Sequence, residues 1–416
     1  MGIVLLFNLA GFIYYVHFAF VNGYLPSPFL YDKSDTFMDL FNPMYWAYND
    51  GRYTDWGSVY PPLNYFILKC INFVFAGEAY SSPALMRDNA PYIIAGFCLI
   101  YFMLPALVIQ TKLWQEFSKI EKFLIYFVII LSAPMLFTLE RGNLILLAPI
   151  LLALALSKTG MTRNIYVAIL INLKPYFALL LIYYFARKKW KELAICTMFS
   201  GLIFVITGLA LDSHFYFFFT NLFNFSQETG LHSLREVMAL PSSISAFSYV
   251  LRNPSGASFV SGHLNSVVIA ILIHFVEAIK WSVIAISLAA LFMKSKQMHD
   301  TEVFTLLIVI ICNLGVWVGG YTFILYIALI PVLIKMRAKW LYVGLISFIA
   351  IPLDAIPLLG NFIGEQYSYL AAANVNVWWT LALGSIVRPV LNIILLLTLS
   401  GEFLTRKLLT YAVMSH

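Results

Sequence analysis

Apolar runs separated by short polar breaks follow one another along the whole chain. Many of these runs are about 17 to 25 residues long, the length of helix that crosses the roughly 30 Å hydrocarbon core of a bilayer. Because backbone groups in lipid must be hydrogen-bonded within their own segment, the runs predict helices. The predicted crossings lie at residues 3–20, 92–111, 123–139, 143–157, 191–211, 266–293, 303–318, 321–334, 340–357 and 377–399.

The fold class predicted from this pattern is an all-α polytopic membrane protein with about twelve membrane helices. The chain is 61% hydrophobic and only 11% charged, with a mean hydropathy of +0.84, which lies outside the range of soluble domains. No stretch is long and polar enough to form a separate soluble domain. We expect one membrane-embedded domain over residues 1–416, with a first module at 1–190 and a more variable set of helices at 191–416.

Positive charge is concentrated in a few short segments between the apolar runs. Sixteen of the 26 Lys and Arg residues lie in the segments 112–122, 158–163, 187–191, 294–296, 335–339 and 406–407. Short cationic loops tend to stay in the cytoplasm, so these segments should form the inner side. The outer side then holds two large loops, 22–91 and 212–265. Membrane lipid accounts for the net charge of +6, and no nucleic-acid partner is expected.

The segment 164–186 is apolar enough to cross the membrane once, but predicted cytoplasmic charge lies at both of its ends. Lys174 and Pro175 also interrupt its middle. We therefore expect two short helices folded into a hairpin with Lys174 at the tip, because broken helices are tolerated where they line a protein cavity. A Lys at this depth costs roughly 3 kcal/mol on insertion scales, so it should face a polar cavity or an anion.

The first outer loop is acidic and aromatic. Asp35 and Asp39 are spaced i, i+4 ahead of the aromatic stretch 41–48, so on a helix both carboxylates share one face. Loop carboxylates are often only solvated, but here Tyr60 and the prolines after it stiffen the following turn, and aromatics offer a shelf for a sugar or a lipid. The apolar stretch 63–76 should lie along the outer surface as an interfacial helix.

Arg141, Gly142 and Asn143 form a tight outer turn between two predicted spans. A cation at this boundary can simply reach the lipid headgroups. The alternative is phosphate binding, since Arg offers a planar fork of donors, Gly permits close backbone approach, and the next helix begins there with free amide groups. Lys174 indicates the same kind of ligand more strongly.

Other polar residues have open roles. His232 and Arg235, in the second outer loop, could contact a phosphate or shuttle a proton, although a lone loop His is more often incidental. Arg388 could face an anion or form a buried pair with Asp354 or Glu365. No cluster has metal-ligand spacing, and neither a phosphate-cradling Gly loop nor a Ser nucleophile elbow occurs in the sequence. We therefore expect no metal and no other cofactor.

The order of these motifs resembles the GT-C membrane glycosyltransferases, and most of all family 87. The resemblance rests on the acidic first outer loop, on Gly51–Tyr53 followed by Tyr60–Pro62, on the turn at Glu140–Asn143 and on the Lys174–Pro175 break. It covers most of the first 190 residues. It implies a GT-C-like helical bundle whose first outer loop carries interfacial helices, in a bacterial inner membrane with the active site facing the periplasm or exterior.

The resemblance also implies a chemistry. Such enzymes move a hexosyl or pentosyl group from a polyprenyl-phosphate donor to a glycan or glycolipid acceptor, with an aspartate of the first outer loop as the base. Asp35 is the best match for that aspartate, and Asp39 is its close rival. Direct attack by the acceptor would invert the anomeric configuration. The residues implied around the substrate and the lipid phosphate are Tyr60, Arg141, Asn143, Lys174, His232 and Arg235.

Two other classes fit parts of the pattern. A membrane transporter or flippase would also have broken helices and intramembrane charges, but no internal repeat is visible, and acids and aromatics are concentrated in one early loop. A lipid-linked polysaccharide polymerase or ligase shares the substrates and the topology. Enzymes of that class tend to place Arg and His in a late outer loop, as at His232 and Arg235 here.

Overall fold

A computed structural model of the protein describes residues 1–29, 33–75, 80–211, 214–227, 234–252, 265–315 and 318–406. These residues are mostly helical. The helices are α1 (Gly2–Asn22), α2 (Met38–Trp46), α3 (Pro62–Phe75), α4 (Pro83–Asn89), α5 (Pro91–Gln110), α6 (Lys119–Ile130), α7 (Ala133–Arg141), α8 (Ala148–Ser157), α9 (Gly160–Leu173), α10 (Leu181–Ala186), α11 (Trp190–Ala210), α12 (Phe217–Gln227), α13 (Leu234–Ala239), α14 (Ser245–Arg252), α15 (Ser266–Lys294), α16 (Asp300–Asn313), α17 (Tyr326–Leu333), α18 (Lys339–Ala350) and α19 (Leu383–Thr405). Short 3-10 helices lie at Asp50–Arg52, Lys112–Trp114, Leu144–Leu147, Pro175–Leu180, Ser295–Gln297, Gly320–Leu325 and Leu353–Ala355.

Five of the described helices are long and apolar enough to cross a membrane, namely α1, α5, α11, α15 and α19. The pair α6 and α7, bent by 53°, makes a sixth crossing if the two form one span. The other predicted crossings correspond to shorter helices, such as α8, α17 and α18. A helical membrane protein is therefore supported, and the count of about twelve membrane helices remains a prediction.

The region between α18 and α19 differs from the prediction. The crossings predicted at 340–357 and 377–399 are wrong at the ends that face each other, because two antiparallel strands lie between the helices, β1 (Pro357–Ser368) and β2 (Ala373–Ala382). The sequence explains this locally, since residues 374–377 alternate Asn and Val, the two-residue period of a strand with one covered face. The fold is thus not all-α in this segment. The buried Val377 and Trp379 of β2 pack in a cluster with residues of α13 and α14.

The segment predicted as a hairpin, 164–186, does return to the end from which it starts. Pro175 lacks an N–H donor and disfavours a helical conformation at the residue before it, so α9 ends at Leu173 and a 3-10 helix leads on into α10. At the other end, Arg163 donates a hydrogen bond to the Tyr183 hydroxyl at 2.6 Å, which joins the two arms. Lys174 therefore lies at the tip.

The predicted inner segments contact one another, and so do the predicted outer loops. Arg163 and Lys189, from two basic segments, both pair with Asp300, at 2.7 and 3.2 Å. In the outer loops, Asn221 donates to the Tyr53 carbonyl at 2.8 Å. These contacts group the basic segments with one another and the two loops with one another, and which group faces the cytoplasm stays a prediction.

Arg388 is explained by a structural ion pair. Its guanidinium donates to both carboxylate oxygens of Asp354, at 2.8 and 2.5 Å, and to the carbonyls of Ile349 and Ile351 at 3.0 and 2.9 Å. Both side chains are fully buried, so the bidentate geometry and the extra carbonyl acceptors satisfy the charge inside the protein. Of the two partners considered from the sequence, Asp354 is the one found.

Candidate active site

The two acidic residues predicted as candidate bases meet one arginine. Arg141 Nη2 donates to Asp35 Oδ2 at 2.5 Å and to Asp39 Oδ1 at 3.0 Å. The carboxylates would repel each other alone, and the shared guanidinium offsets that repulsion. Asp35 lies just before α2, outside the helix, and Asp39 lies in its first turn, so the start of α2 brings both carboxylates to Arg141 at the end of α7.

The turn after α7 can approach α2 closely because of one glycine. Gly142 has φ of 68°, a left-handed conformation that ends α7, and a Cβ at this position would come within 2.9 Å of Leu40 Cβ and 3.2 Å of the Phe37 carbonyl oxygen. The Phe37 N–H in turn donates to the Glu140 carbonyl at 2.7 Å. The turn is therefore fixed on the start of α2, where the carboxylates are.

Asn143 fixes the second oxygen of Asp39. Its Nδ2 donates to Asp39 Oδ2 at 2.8 Å, while its Oδ1 accepts from the Ile145 N–H at 2.9 Å and so sets the orientation of the amide. Asn143 is buried. Asp39 is thus held at both oxygens, by Arg141 and by Asn143.

Lys174 reaches the same place from the tip of the hairpin. Its Nζ lies 4.3 Å from the centroid of the Tyr60 ring and 5.9 Å from that of Tyr321, so two aromatic faces surround the ammonium. The tip is held from α3, because Asn64 Nδ2 donates to the carbonyls of Asn172 and Leu173 at 3.1 and 3.0 Å. These carbonyls are in the last turn of α9, where intrahelical partners are lacking.

A cavity of about 920 Å³ connects these groups. Among the described residues that line it, the charged ones are Asp39, Arg141, Lys174 and Glu236. Asp35 is not among these lining residues, so of the two carboxylates bonded to Arg141 it is Asp39 that faces the cavity. Its aromatic and polar lining includes Trp46, Trp56, Ser58, Tyr60, Phe137, Tyr176, Asn221, Asn224, Ser242, Ser243 and Tyr321.

Tyr60 is a neutral donor in this cavity. Burial raises the pKa of its phenol well above the usual range, and the negative charge of Asp39 raises it further. Its backbone carbonyl accepts a hydrogen bond from the Tyr53 hydroxyl at 2.9 Å, which fixes the turn that precedes α3. The Tyr60 phenol is therefore a neutral hydroxyl, and it lies beside the Lys174 ammonium, which is a cation.

Most of the predicted site residues come together, and a few do not. Arg141 and Asn143 bond Asp39, and Tyr60 and Lys174 line the same cavity as Asp39. Arg235 is described but is not among the lining residues of the cavity, whereas its neighbour Glu236 is. His232 lies outside the described residues.

Other lining residues were missed from the sequence. Trp46 carries a weak signal, since it is seven residues after Asp39 and so shares its helix face. Glu236 and Tyr321 carry none, because a loop acid or an aromatic acquires a role only when the cavity forms around it. Within the described ranges no group of three or more His, Cys, Asp or Glu side chains is placed to hold a metal ion.

The arrangement places a cavity-facing carboxylate beside two cations and a phenol. A carboxylate can remove a proton from a hydroxyl, and fixed cations can stabilise an anionic leaving group, so the site suits transfer of a group from a phosphate to a hydroxyl.

Comparison with known proteins confirms the family resemblance. The sequence model of glycosyltransferase family 87 matches residues 60–315, a range that contains Tyr60, Arg141 and Lys174, whereas Asp35 and Asp39 precede it. No curated protein and no solved structure matches the chain. Because the matched range is more than half of the 416 residues, the protein belongs to glycosyltransferase family 87 and is a membrane glycosyltransferase.

Proposed function

We propose that the protein transfers a sugar from a polyprenyl-phosphate donor to a glycan or lipid-linked acceptor on the extracytoplasmic face, with inversion at the anomeric carbon. The observation that carries this proposal is that Asp39, Arg141 and Lys174 line one cavity. A base and two cations in one cavity match the two charges that change during transfer, the proton lost by the acceptor and the charge gained by the leaving phosphate.

The donor phosphate is assigned to the cationic groups. Arg141 and Lys174 are both buried, and in a water-poor cavity fixed cations stabilise a developing phosphate charge far more than they would in water. The phosphate charge grows as the sugar leaves, so the stabilisation is larger in the transition state than in the ground state. Asn143 would act through Asp39, whose second oxygen it holds.

An apolar cavity beside the site supports a lipid donor. It has a volume of about 130 Å³ and is lined almost wholly by hydrophobic side chains of α6, α17 and α18 and their neighbours. Met135 and Phe323 line this cavity, and Phe137 and Tyr321 of the same two segments line the large one. We assign the isoprenoid chain of a donor whose phosphate lies at Lys174 to this apolar cavity.

The transfer is a single displacement. The acceptor hydroxyl oxygen attacks the anomeric carbon, its proton passes to the Asp39 carboxylate, and the bond between the anomeric carbon and the phosphate oxygen breaks. The products are the glycosylated acceptor and polyprenyl phosphate, whose new negative charge lies at Arg141 and Lys174. One displacement inverts the configuration at that carbon.

Asp39 is the better candidate for the base, although the family resemblance favoured Asp35. A base must come within about 3 Å of the hydroxyl whose proton it removes. Asp39 lines the cavity, whereas Asp35 bonds Arg141 and is not among the described lining residues. Asp35 then holds the guanidinium that contacts the leaving group.

The test uses the whole protein purified into lipid nanodiscs. It is incubated with a panel of polyprenyl-phosphate sugars and a membrane extract as the acceptor source, and release of polyprenyl phosphate is followed. We expect release from at least one donor, dependent on the extract, and a product whose anomeric configuration is opposite to that of the donor. Absence of release from every donor would contradict the proposal, and retention of configuration would contradict the single displacement.

The outer location of the site is tested in sealed vesicles of known orientation. A donor sugar bound to a short, water-soluble isoprenoid phosphate should react only when it is added to the side on which the loops 22–91 and 212–265 are labelled. Reaction from the side of the basic segments would reverse the proposed orientation.

A further inference from the structure

The large cavity has an aromatic region that the transfer step does not use. Trp46 and Trp56 stack with their ring centroids 5.9 Å apart and their planes 15° apart, and both line the cavity. Trp56 remains 40% exposed, although large aromatic side chains gain most from burial. A flat, exposed indole inside a cavity offers its face to a ligand.

This region is held in place by the chain around it. The buried Arg52 donates to the carbonyls of Trp46 and Ala47 at 2.9 and 3.0 Å and to that of Leu211 at 3.2 Å. Next to Trp56, Gly57 has φ of 54°, and a Cβ there would meet nothing within 4 Å, so the space at Gly57 is open. A rigid surface with open space beside it loses little entropy when a ligand binds.

The position of the region along α2 relates it to the base. Trp46 is seven residues after Asp39, which places both on the same face of the helix and about 10 Å apart along its axis. A base acts on a hydroxyl within about 3 Å, so a ring stacked on the tryptophans is set back from the reacting hydroxyl. Such a ring would be the substrate unit next to the one whose hydroxyl reacts.

The chemistry of this region suits a neutral carbohydrate. The face of a pyranose presents C–H groups, which the negative face of an indole attracts, and the lining residues at 56–60 and at 221–225 are uncharged. Asn221 of α12 donates to the carbonyls of Tyr53 and Ser58, at 2.8 and 3.2 Å, and Asn224, one turn later on α12, is exposed. Arg141 and Lys174, the cationic groups that suit the donor phosphate, belong to α7 and to the hairpin tip and not to the segment that carries the two tryptophans. The aromatic region is therefore assigned to the other substrate.

We propose that Trp46 and Trp56 form an acceptor subsite that binds a pyranose ring of a glycan acceptor at least two sugar units long. This inference rests on the proposed transfer reaction and names one of its substrates by class. Asn224 supplies an amide to the hydroxyl groups of the bound unit. The subsite positions the next unit of the acceptor toward Asp39.

Binding is tested directly by saturation-transfer NMR on the whole protein in nanodiscs. The probes are the methyl glycosides of mannose, glucose and galactose and the corresponding methyl disaccharides. We expect transfer to the ring C–H protons of at least one disaccharide with the wild type and with Trp56→Phe, and about fivefold or more weaker transfer with Trp56→Ala. The matched control is Trp378→Ala, since Trp378 is 55% exposed on β2 and is not among the described lining residues. Equal transfer with Trp56→Ala, or none to any disaccharide, would overturn the subsite.

Kinetics separate this inference from the transfer reaction itself. In the lipid-phosphate release assay, Trp56→Ala should raise the amount of membrane extract needed for half-maximal rate about tenfold. Its donor concentration dependence should equal that of the wild type. If the wild type releases lipid phosphate and Trp56→Ala has an unchanged extract dependence, or shifts the donor dependence instead, the acceptor subsite is wrong and the transfer reaction stands. If the wild type releases none from any donor, both proposals fail.

Discussion

The two ends of the hairpin formed by α9 and α10 differ in how their charged side chains are paired. At the open end, opposite the tip, the Asp300 carboxylate is paired with Arg163, Arg187 and Lys189, at 2.7, 3.4 and 3.2 Å. At the tip, Lys174 faces the cavity between two aromatic rings, and no ion pair of Lys174 is found among the described residues.

The difference separates a structural cluster of ion pairs from the proposed binding site. At the open end of the hairpin, burial by itself would raise the pKa of the Asp300 carboxyl, but hydrogen bonds from Tyr183 and Arg163 outweigh burial and hold the pKa at about 2. Side chains of the protein itself thus neutralise the charge at this end. At the tip, two aromatic faces offset part of the cost of placing a Lys away from water, and the proposed phosphate ligand would offset more of it.

The largest effect is expected at Asp39. Asp39→Asn keeps the size and one hydrogen-bonding oxygen but removes the base, so the rate of sugar transfer should fall about 100- to 10,000-fold while the protein remains folded and inserted. Asp35→Asn should cost less, about tenfold, because it weakens only one contact of Arg141. Rates of lipid-phosphate release measure both. The reverse order would return the role of base to Asp35, and full activity in both variants would end the assignment of a first-loop base.

Lys174 comes next in expected effect. Lys174→Gln removes a cation from the leaving group but leaves a polar side chain at the tip, so the rate should fall about 100- to 1,000-fold. The thermal midpoint should change little or rise, because no ion pair within the described residues is lost and a buried charge is removed. An unchanged rate of sugar transfer together with a lowered thermal midpoint would mean that Lys174 stabilises the fold, as the Asp300 cluster does, and does not act on the leaving group.

The comparison also indicates what a sequence can predict. The hairpin followed from charge at both ends of an apolar run and from Pro175, which are local signals with a direct physical meaning. The strands β1 and β2 were missed because the apolar run from 377 onward satisfied the length rule for a crossing, although residues 374–377 alternate. A window long enough to detect a membrane span averages over so short a strand.

The residue types of the candidate site could be predicted from the sequence better than the contacts between them. Charged residues in apolar surroundings, such as Arg141 and Lys174, are costly unless they are paired, hydrogen-bonded or facing a polar cavity, so their chemistry marks them in the sequence as candidates. Their meeting at Asp39 joins positions about a hundred residues apart, and no periodicity in one sequence encodes such a distance. The same holds for Glu236 and Tyr321, whose place in the cavity depends on the packing of distant segments.

Asp300 is expected to affect stability more than activity. Asp300→Asn leaves three cations without their carboxylate and should lower the free energy of unfolding by about 1 to 3 kcal/mol, with transfer activity changed by about threefold or less. The pKa of Asp300 is depressed in the folded protein, so its contribution is present above the unfolded value of about 3.9 and is lost as the pH falls from about 4 toward 2. Thermal midpoints measured across that pH range should fall more in the wild type than in the variant. Parallel curves would show that Asp300 does not supply this dependence.

The smallest of these effects is expected at Asn64, which links α3 to the tip. Asn64→Ala removes two hydrogen bonds to the last carbonyls of α9, so it should lower stability by about 1 to 2 kcal/mol and let Lys174 move, which should lower activity about three- to tenfold. Asn89→Ala is the matched control, since Asn89 is an exposed residue whose amide bonds a carbonyl of its own helix. If Asn64 acts through Lys174, the loss of activity should nearly vanish in a Lys174→Ala background, while the loss of stability should persist. Equal losses of activity in both backgrounds would mean that Asn64 supports the fold in general and does not position the lysine.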